Sequence, residues 1–158
     1  MTNDLVFDLP DGRFNYRVGA IIIDNGKLLM VKSLRENHYW TVGGRVTLHE
    51  SSEQAVLREV FEETGIHCEV ERLAFVDEVF FTLESSGESF HELGFYYLIR
   101  PNAAFRTISD NQPIGDTPED CFEWLPLDKL CDYTAYPVFF RTELQNIDDG
   151  IKHVVEDR

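Results

Sequence analysis

Between Ser51 and Gly65 the chain carries the signals for both ends of one helix, and the residues between them constrain everything around it. Ser51 is a good N-cap residue with Gln54 three positions on, the pattern of a capping box. Gly65 can take the left-handed conformation that stops a helix. The spacing predicts a helix from Ser52 to Thr64. At roughly 100° per residue, Leu57, Val60 and Phe61 fall on one side, and Glu59, Glu62 and Glu63 fall nearly opposite. Carboxylates at i, i+3 and i+4 repel by about a few tenths of a kcal/mol per pair. A helix that keeps them has a use for a cation between them.

The flanks of this helix read as sheet. Arg17 to Ile23 is a β-branched apolar run, followed by Asp24-Asn25-Gly26-Lys27 and a second run, Leu28 to Ser33. Asn-Gly between two such runs signals a hairpin, because both central residues of a type I′ turn need positive φ. Continuous apolarity implies strands covered on both faces, hence a sheet within a layered α/β fold. Leu34 to Thr41 reads as a polar loop leading into Val42-Gly43-Gly44, where the chain can come close to a ligand. Ile66 to Val79 reads as one or two strands, with a turn at Glu84 to Glu88. Phe90 to Ile99 is a further strand, in which Gly94 marks a bulge or a close approach. Pro101 to Pro118 reads as a polar loop with turn residues Gly115 and Asp116, then Glu119 to Leu125 as a last strand. Leu127 to Leu130 reads as a turn of helix and Tyr136 to Ile147 as a closing helix with Pro137 at its start. The first dozen residues read as a peripheral strand or arm.

A chain of 158 residues fits one domain, burying roughly 70% of its unfolded surface. Its net charge of −15 argues against a surface that grips the phosphates of a nucleic-acid polymer, which needs clustered Lys and Arg. A small phosphorylated substrate remains compatible, since a divalent ion can neutralise its charge. Cys68, Cys121 and Cys131 are too widely spaced for a zinc site and read as free, buried or half-buried thiols. No basic leader precedes an apolar run at the start, and no stretch is long and apolar enough for a membrane span. The expected location is the cytoplasm.

Hard divalent ions take oxygen ligands, and Mg²⁺ is held by a few carboxylates together with substrate phosphates. Glu59 and Glu63 project side by side with Glu62 next to them, and the glycines ahead can offer a main-chain carbonyl. Metal-assisted hydrolysis of a phosphoanhydride follows as the reaction class, with a spare carboxylate taking the proton from water.

The same stretch resembles the Nudix box, G-x5-E-x7-R-E-U-x-E-E-x-G-U, with Gly44, Glu50, Arg58, Glu59, Val60, Glu62, Glu63, Gly65 and Ile66 at every fixed position. The preceding hairpin and the Trp124-Leu125-Pro126-Leu127 segment also look like Nudix domains. The resemblance implies an α/β Nudix fold, a mixed β-sheet sandwiched between α-helices, as a single domain over residues 1–158. It implies that Glu59, Glu62, Glu63 and the Gly43 carbonyl bind Mg²⁺ or Mn²⁺. Arg58 and Glu50 would hold the carboxylates in place, with Glu59 and Glu62 in catalytic roles. Candidate substrate contacts are Glu92, Trp40 and Arg45. Where many members have Pro-Gly-Gly this chain has Val42-Gly43-Gly44, and His49 replaces a common Gly. Downstream signatures of NADH, ADP-ribose and dinucleoside polyphosphate enzymes are missing, which favours a nucleoside triphosphate or similar small nucleotide. A non-catalytic module that binds a nucleotide or metabolite is the alternative, and an isomerase acting on an isoprenoid diphosphate is a third reading that the intact box disfavours. A homodimer is common in families of this kind.

Overall fold

The helix forms where its end signals place it. In the computed structural model, which describes residues 3–115 and 117–158, α1 spans Ser52–Thr64. The Ser51 hydroxyl accepts from the Gln54 N–H (3.1 Å), and the Gln54 side chain accepts from the Ser51 N–H (2.9 Å). Such caps stabilise a helix by about 1 kcal/mol. Gly65 ends it at φ 73°, its N–H bonded to the Phe61 carbonyl. Which face turns inward differs from the expected stripe. Ala55, Val56 and Val60 are fully buried, whereas Phe61 is exposed and stacks on His67 at 4.2 Å. On the 100° wheel, Glu59 and Glu63 fall between Ala55 and Val60, so the sheet-facing side carries two of the glutamates itself. Large apolar residues draw the eye in a sequence, but small ones let this helix lie close to the strands.

Among the described residues, ten strands make one continuous mixed sheet. They are β1 (Val6–Leu9), β2 (Gly12–Ile21), β3 (Ile23–Asp24), β4 (Lys27–Ser33), β5 (Tyr39–Arg45), β6 (Val70–Thr82), β7 (Ser89–Ile99), β8 (Gln112–Ile114), β9 (Thr117–Pro126) and β10 (Lys152–Asp157). The path runs β10-β6-β7-β2-β5-β4-β9-β8, with β1 on β2 and β3 on β4. Asn25 (φ 49°) and Gly26 (φ 73°) form the expected tight turn, but it joins only β3 to β4. The long apolar strand β2 instead pairs with β5 and, in parallel, with β7. Strand β5 changes partner along its length. Tyr39 to Thr41 pair with β4, and Val42 to Arg45 pair with β2. The sheet therefore splays at Thr41–Val42, immediately before the glycine pair.

Two apolar cores lie on opposite faces. One, under α1, includes Val18, Ala20, Val42, Val56, Val60, Tyr97 and Phe122. The other includes Ile21, Met30, Phe75, Leu130, Phe139 and Phe140. Several expectations change here. Tyr39 and Trp40 belong to β5, not to a loop, because Tyr39 buries its ring and bonds Glu123 (3.1 Å). The stretch after Pro101 contains a 3-10 turn, Ala103–Thr107, that buries Phe105 and, just after it, Ile108. The closing helix is reduced to α2, Phe140–Glu143, with 3-10 turns at Leu127–Asp132 and Leu144–Asn146. Strand β9 is not the last, since β10 adds in parallel to β6. Its alternating Val154 and Glu156 against exposed neighbours is an edge-strand pattern too short to stand out. Cys121 is buried, Cys68 half-buried and Cys131 exposed, all as free thiols. Met1, Thr2 and the turn residue Asp116 lie outside the described residues. No helix among the described residues is long and apolar enough to cross a membrane.

Candidate active site

The glycine pair ends β5 against the inward side of α1. A Cβ on Gly44 would fall within 2.6 Å of Glu59 Oε2, and one on Gly43 would strike the Val18 carbonyl on the neighbouring strand. Glycine is therefore required twice, once to seat a carboxylate and once to let two backbones meet. The Gly43 N–H points at Glu63 Oε1 (3.4 Å).

Arg58 organises the other side. Its Nε and Nη2 donate to the two oxygens of Glu50 (2.7 and 3.0 Å), its Nη1 to Glu59 Oε1 (2.7 Å), and its Nη2 also to the Arg45 carbonyl (3.0 Å). Bidentate pairing of this kind fixes geometry as well as charge. Thr47 adds its N–H and hydroxyl to Glu50 (3.0 and 2.9 Å). The Arg58 hydrogen bonds, opposed by burial and helped by those of Thr47, bring the Glu50 carboxyl down to about 2. Arg58 itself is raised, chiefly by Glu50. Glu62 is turned to solvent and reaches Arg58 only at 3.4 Å.

Glu63 has the opposite environment. Burial pushes its carboxyl up to about 8; the Gly43 N–H opposes this, Glu59 adds to it, and Arg17 opposes again. The sheet-facing side of α1 thus holds one carboxylate gripped by an arginine and one left almost without a partner.

Beside this site, where β5 forks, a cavity of ≈ 800 Å³ opens. Arg17, Trp40, Asp77, Glu92, Tyr136 and Arg158 are among its walls. Two of the three candidate substrate contacts are here: Trp40, packed 5.1 Å from His38, and Glu92, which accepts from Asn15 Nδ2 (2.8 Å). The third is not, since Arg45 turns toward Asp4 (3.7 Å) and offers only its carbonyl to Arg58. Phe14 stacks on Phe7 and meets His91 edge-on, outside the cavity lining, and Glu119 pairs with Arg35. Sequence reasoning missed Arg17, Asp77, Tyr136 and Arg158. The signal available was a charged residue at an apolar strand's start, Arg17, and another within a strand, Asp77.

A NUDIX domain model matches residues 13–142. The chain belongs to the Nudix family. Among relatives of this Nudix chain, a MutT-like protein of Streptomyces ambofaciens is 38% identical over 58 residues, which are 37% of the chain and 38% of that protein. A MutT Nudix hydrolase structure from Burkholderia pseudomallei shares 26% identity with TM-score 0.54, over 73% of the chain and 84% of that structure. A mutator MutT protein from Bacillus halodurans superposes with TM-score 0.60 at 19% identity, over 88% and 89% of the two chains. Strand β10, with Arg158 beyond it, lies outside the residues that the family model matches.

The residues of the box fit a divalent ion on the structure's own terms. Among the described residues no three acidic, His or Cys side chains already converge as a ready-made ligand set. Glu59 and Glu63 nevertheless flank the glycine pair, Glu63 forms no ion pair among the described residues and has only Arg17 acting on it from a distance, and the recess at Gly44 would be filled by any side chain. A hard cation supplies the missing charge and accepts such oxygen ligands.

Proposed function

We propose that this Nudix chain is a pyrophosphohydrolase that uses Mg²⁺ or Mn²⁺ to cleave a phosphoanhydride bond in a nucleoside diphosphate linked to another group. A nucleoside triphosphate or similar small nucleotide is the favoured substrate. The observation that carries this reading is the under-neutralised Glu59–Glu63 pair against Gly43 and Gly44, beside a cavity of ≈ 800 Å³. That volume lies in the range of small-molecule sites.

Glu59, Glu62, Glu63 and the Gly43 carbonyl would hold the ion. When bound, such an ion neutralises phosphate charge and makes water easier to deprotonate. The protein's own part is positional. Arg58 keeps Glu59 in one orientation and draws Glu50 into the same network, so the helix face does not rearrange as substrate arrives. Water adds to phosphorus, the bridging P–O bond breaks with the leaving phosphate taking its electron pair, and the water proton passes to one of the box carboxylates. Arg17, on the cavity wall, is placed to meet phosphate charge. The substrate is a small molecule, for the charge of −15 does not suit a nucleic-acid polymer.

The test is a phosphate-release screen over nucleotides, nucleotide sugars and dinucleotides with Mg²⁺, then with a chelator. Turnover should vanish with chelator and return on adding Mg²⁺ or Mn²⁺. Metal-independent turnover would reject the mechanism, and no turnover with any class would favour a binding module instead.

A further inference from the structure

Arg17, Gly94 and Asp77 stand directly opposite one another on β2, β7 and β6. Residues paired in this way share one face of a sheet, and two strand spacings separate Arg17 from Asp77 by about 10 Å. The middle position carries no side chain. Gly19 and Gly94 instead form a seat for the Tyr96 ring, for a Cβ would lie 2.6 Å from that ring at Gly19 and 2.8 Å at Gly94. The face is therefore a trough, with a cation at the end near the Nudix box, an aromatic floor, and Asp77 at the far end.

Asp77 is only 1% exposed, lines the cavity, and its Oδ1 has no hydrogen-bond partner among the described residues. Burying a carboxylate without a donor is destabilising, so its presence there calls for an explanation. Packing supplies none, because no described residue donates a hydrogen bond to it. The acidic groups around it make matters worse: Glu156 and Glu92 raise its pKa further, while Arg158 and His153 act against them, and burial is the largest cause. Trp40, Phe81 and Tyr136 contribute flat aromatic surfaces to the same cavity. Such surfaces suit a planar ring.

We propose that Asp77 is a specificity-determining residue, whose carboxyl accepts a hydrogen bond from an exocyclic amino group of the substrate's nucleobase at the end of the trough remote from the phosphates. This deepens the reading of the chain as a nucleotide hydrolase and rests on it. An amino-bearing base satisfies the orphan oxygen, whereas one with hydrogen at that position leaves it unpaired and one with a carbonyl sets two acceptors facing each other. Sites built on a buried hydrogen bond discriminate strongly against partners that lack it.

The experiment measures binding apart from turnover. The full chain, as wild type, Asp77→Asn and Asp77→Ala, is titrated calorimetrically with GMP, IMP, CMP, UMP and ribose 5-phosphate. Phosphate release from the corresponding triphosphates is followed in parallel. The wild type should bind the amino-bearing member of at least one pair, GMP over IMP or CMP over UMP, at least about tenfold more tightly. Asn presents a donor as well as an acceptor, so Asp77→Asn should compress that preference to within about threefold. Asp77→Ala should weaken all nucleotides, and ribose 5-phosphate should change less than about twofold in both variants. An unaltered base ranking in the variants, equal binding of ribose 5-phosphate and nucleotides by the wild type, or a parallel loss for ribose 5-phosphate would overturn the proposal. Hydrolysis without base preference would overturn it and leave the hydrolase reading standing. Base preference without hydrolysis would do the reverse.

Discussion

The box end and the far end of the cavity treat their carboxylates in opposite ways. At the box, Glu50 has four hydrogen bonds, from Arg58 and Thr47, and is held down to about 2. At the far end Asp77 Oδ1 has no donor among the described residues, and the carboxyl is pushed up to about 7, chiefly by burial. Glu63 resembles Asp77 more than it resembles its neighbours in the box. The difference separates scaffold from site. Charges that the fold pairs internally hold geometry, whereas charges that it buries without a partner mark candidate sites for something that arrives from outside.

The comparison can be broken most directly at the box carboxylates that Arg58 holds weakly or not at all. Glu63→Gln and Glu62→Gln should each lower turnover by about 10³-fold or more, if they hold the charge that the reaction needs, with circular dichroism unchanged. Wild-type rates in both would remove the metal assignment. Arg58→Ala attacks the paired class. It strips Glu50 and Glu59 of their shared cation and should cost about 2–3 kcal/mol of stability in urea unfolding. A loss below about 0.5 kcal/mol would place this network among ordinary surface ion pairs.

Asp77→Asn sharpens the contrast through pH. The ordinary carboxyl value is 3.8 and the folded value is about 7. The unfolded chain therefore releases this proton first, and wild-type stability declines as pH rises between these values. The variant lacks that decline. Its melting temperature should match the wild type near pH 4 and exceed it above pH 7; a constant difference across the range would contradict the assigned titration. The smallest effect belongs to His49, which sits exposed at φ 68° in the left-handed region. Many Nudix chains have glycine there, and His49→Gly should gain at most about 1 kcal/mol, read from the unfolding midpoint.

The box helix, its caps, the Asn25-Gly26 turn and the strand character of the flanking runs were legible because each depends on near neighbours in the chain. Ser51 meets Gln54 and Gly65 meets Phe61 within about one turn of helix. The inward face of α1 was not legible in the same way. Periodicity locates an apolar arc, yet which arc meets the sheet depends on Gly43 and Gly44 admitting Glu63 and Glu59. Strand β10 and the fork in β5 escaped for a related reason, since each is defined by partners distant in the chain.

By itself, then, the order of residues determined the family, the helix that carries the glutamates, and the class of ion that such oxygens attract. Only the tertiary structure decided which of those carboxylates are neutralised and which are not. It also decided that Arg17 and Asp77, 60 positions apart in the chain, face one cavity. The physical reason is that burial and pairing are properties of a place in the fold, set by strands meeting across the sheet, and a side chain's charge has no fixed meaning until that place is known.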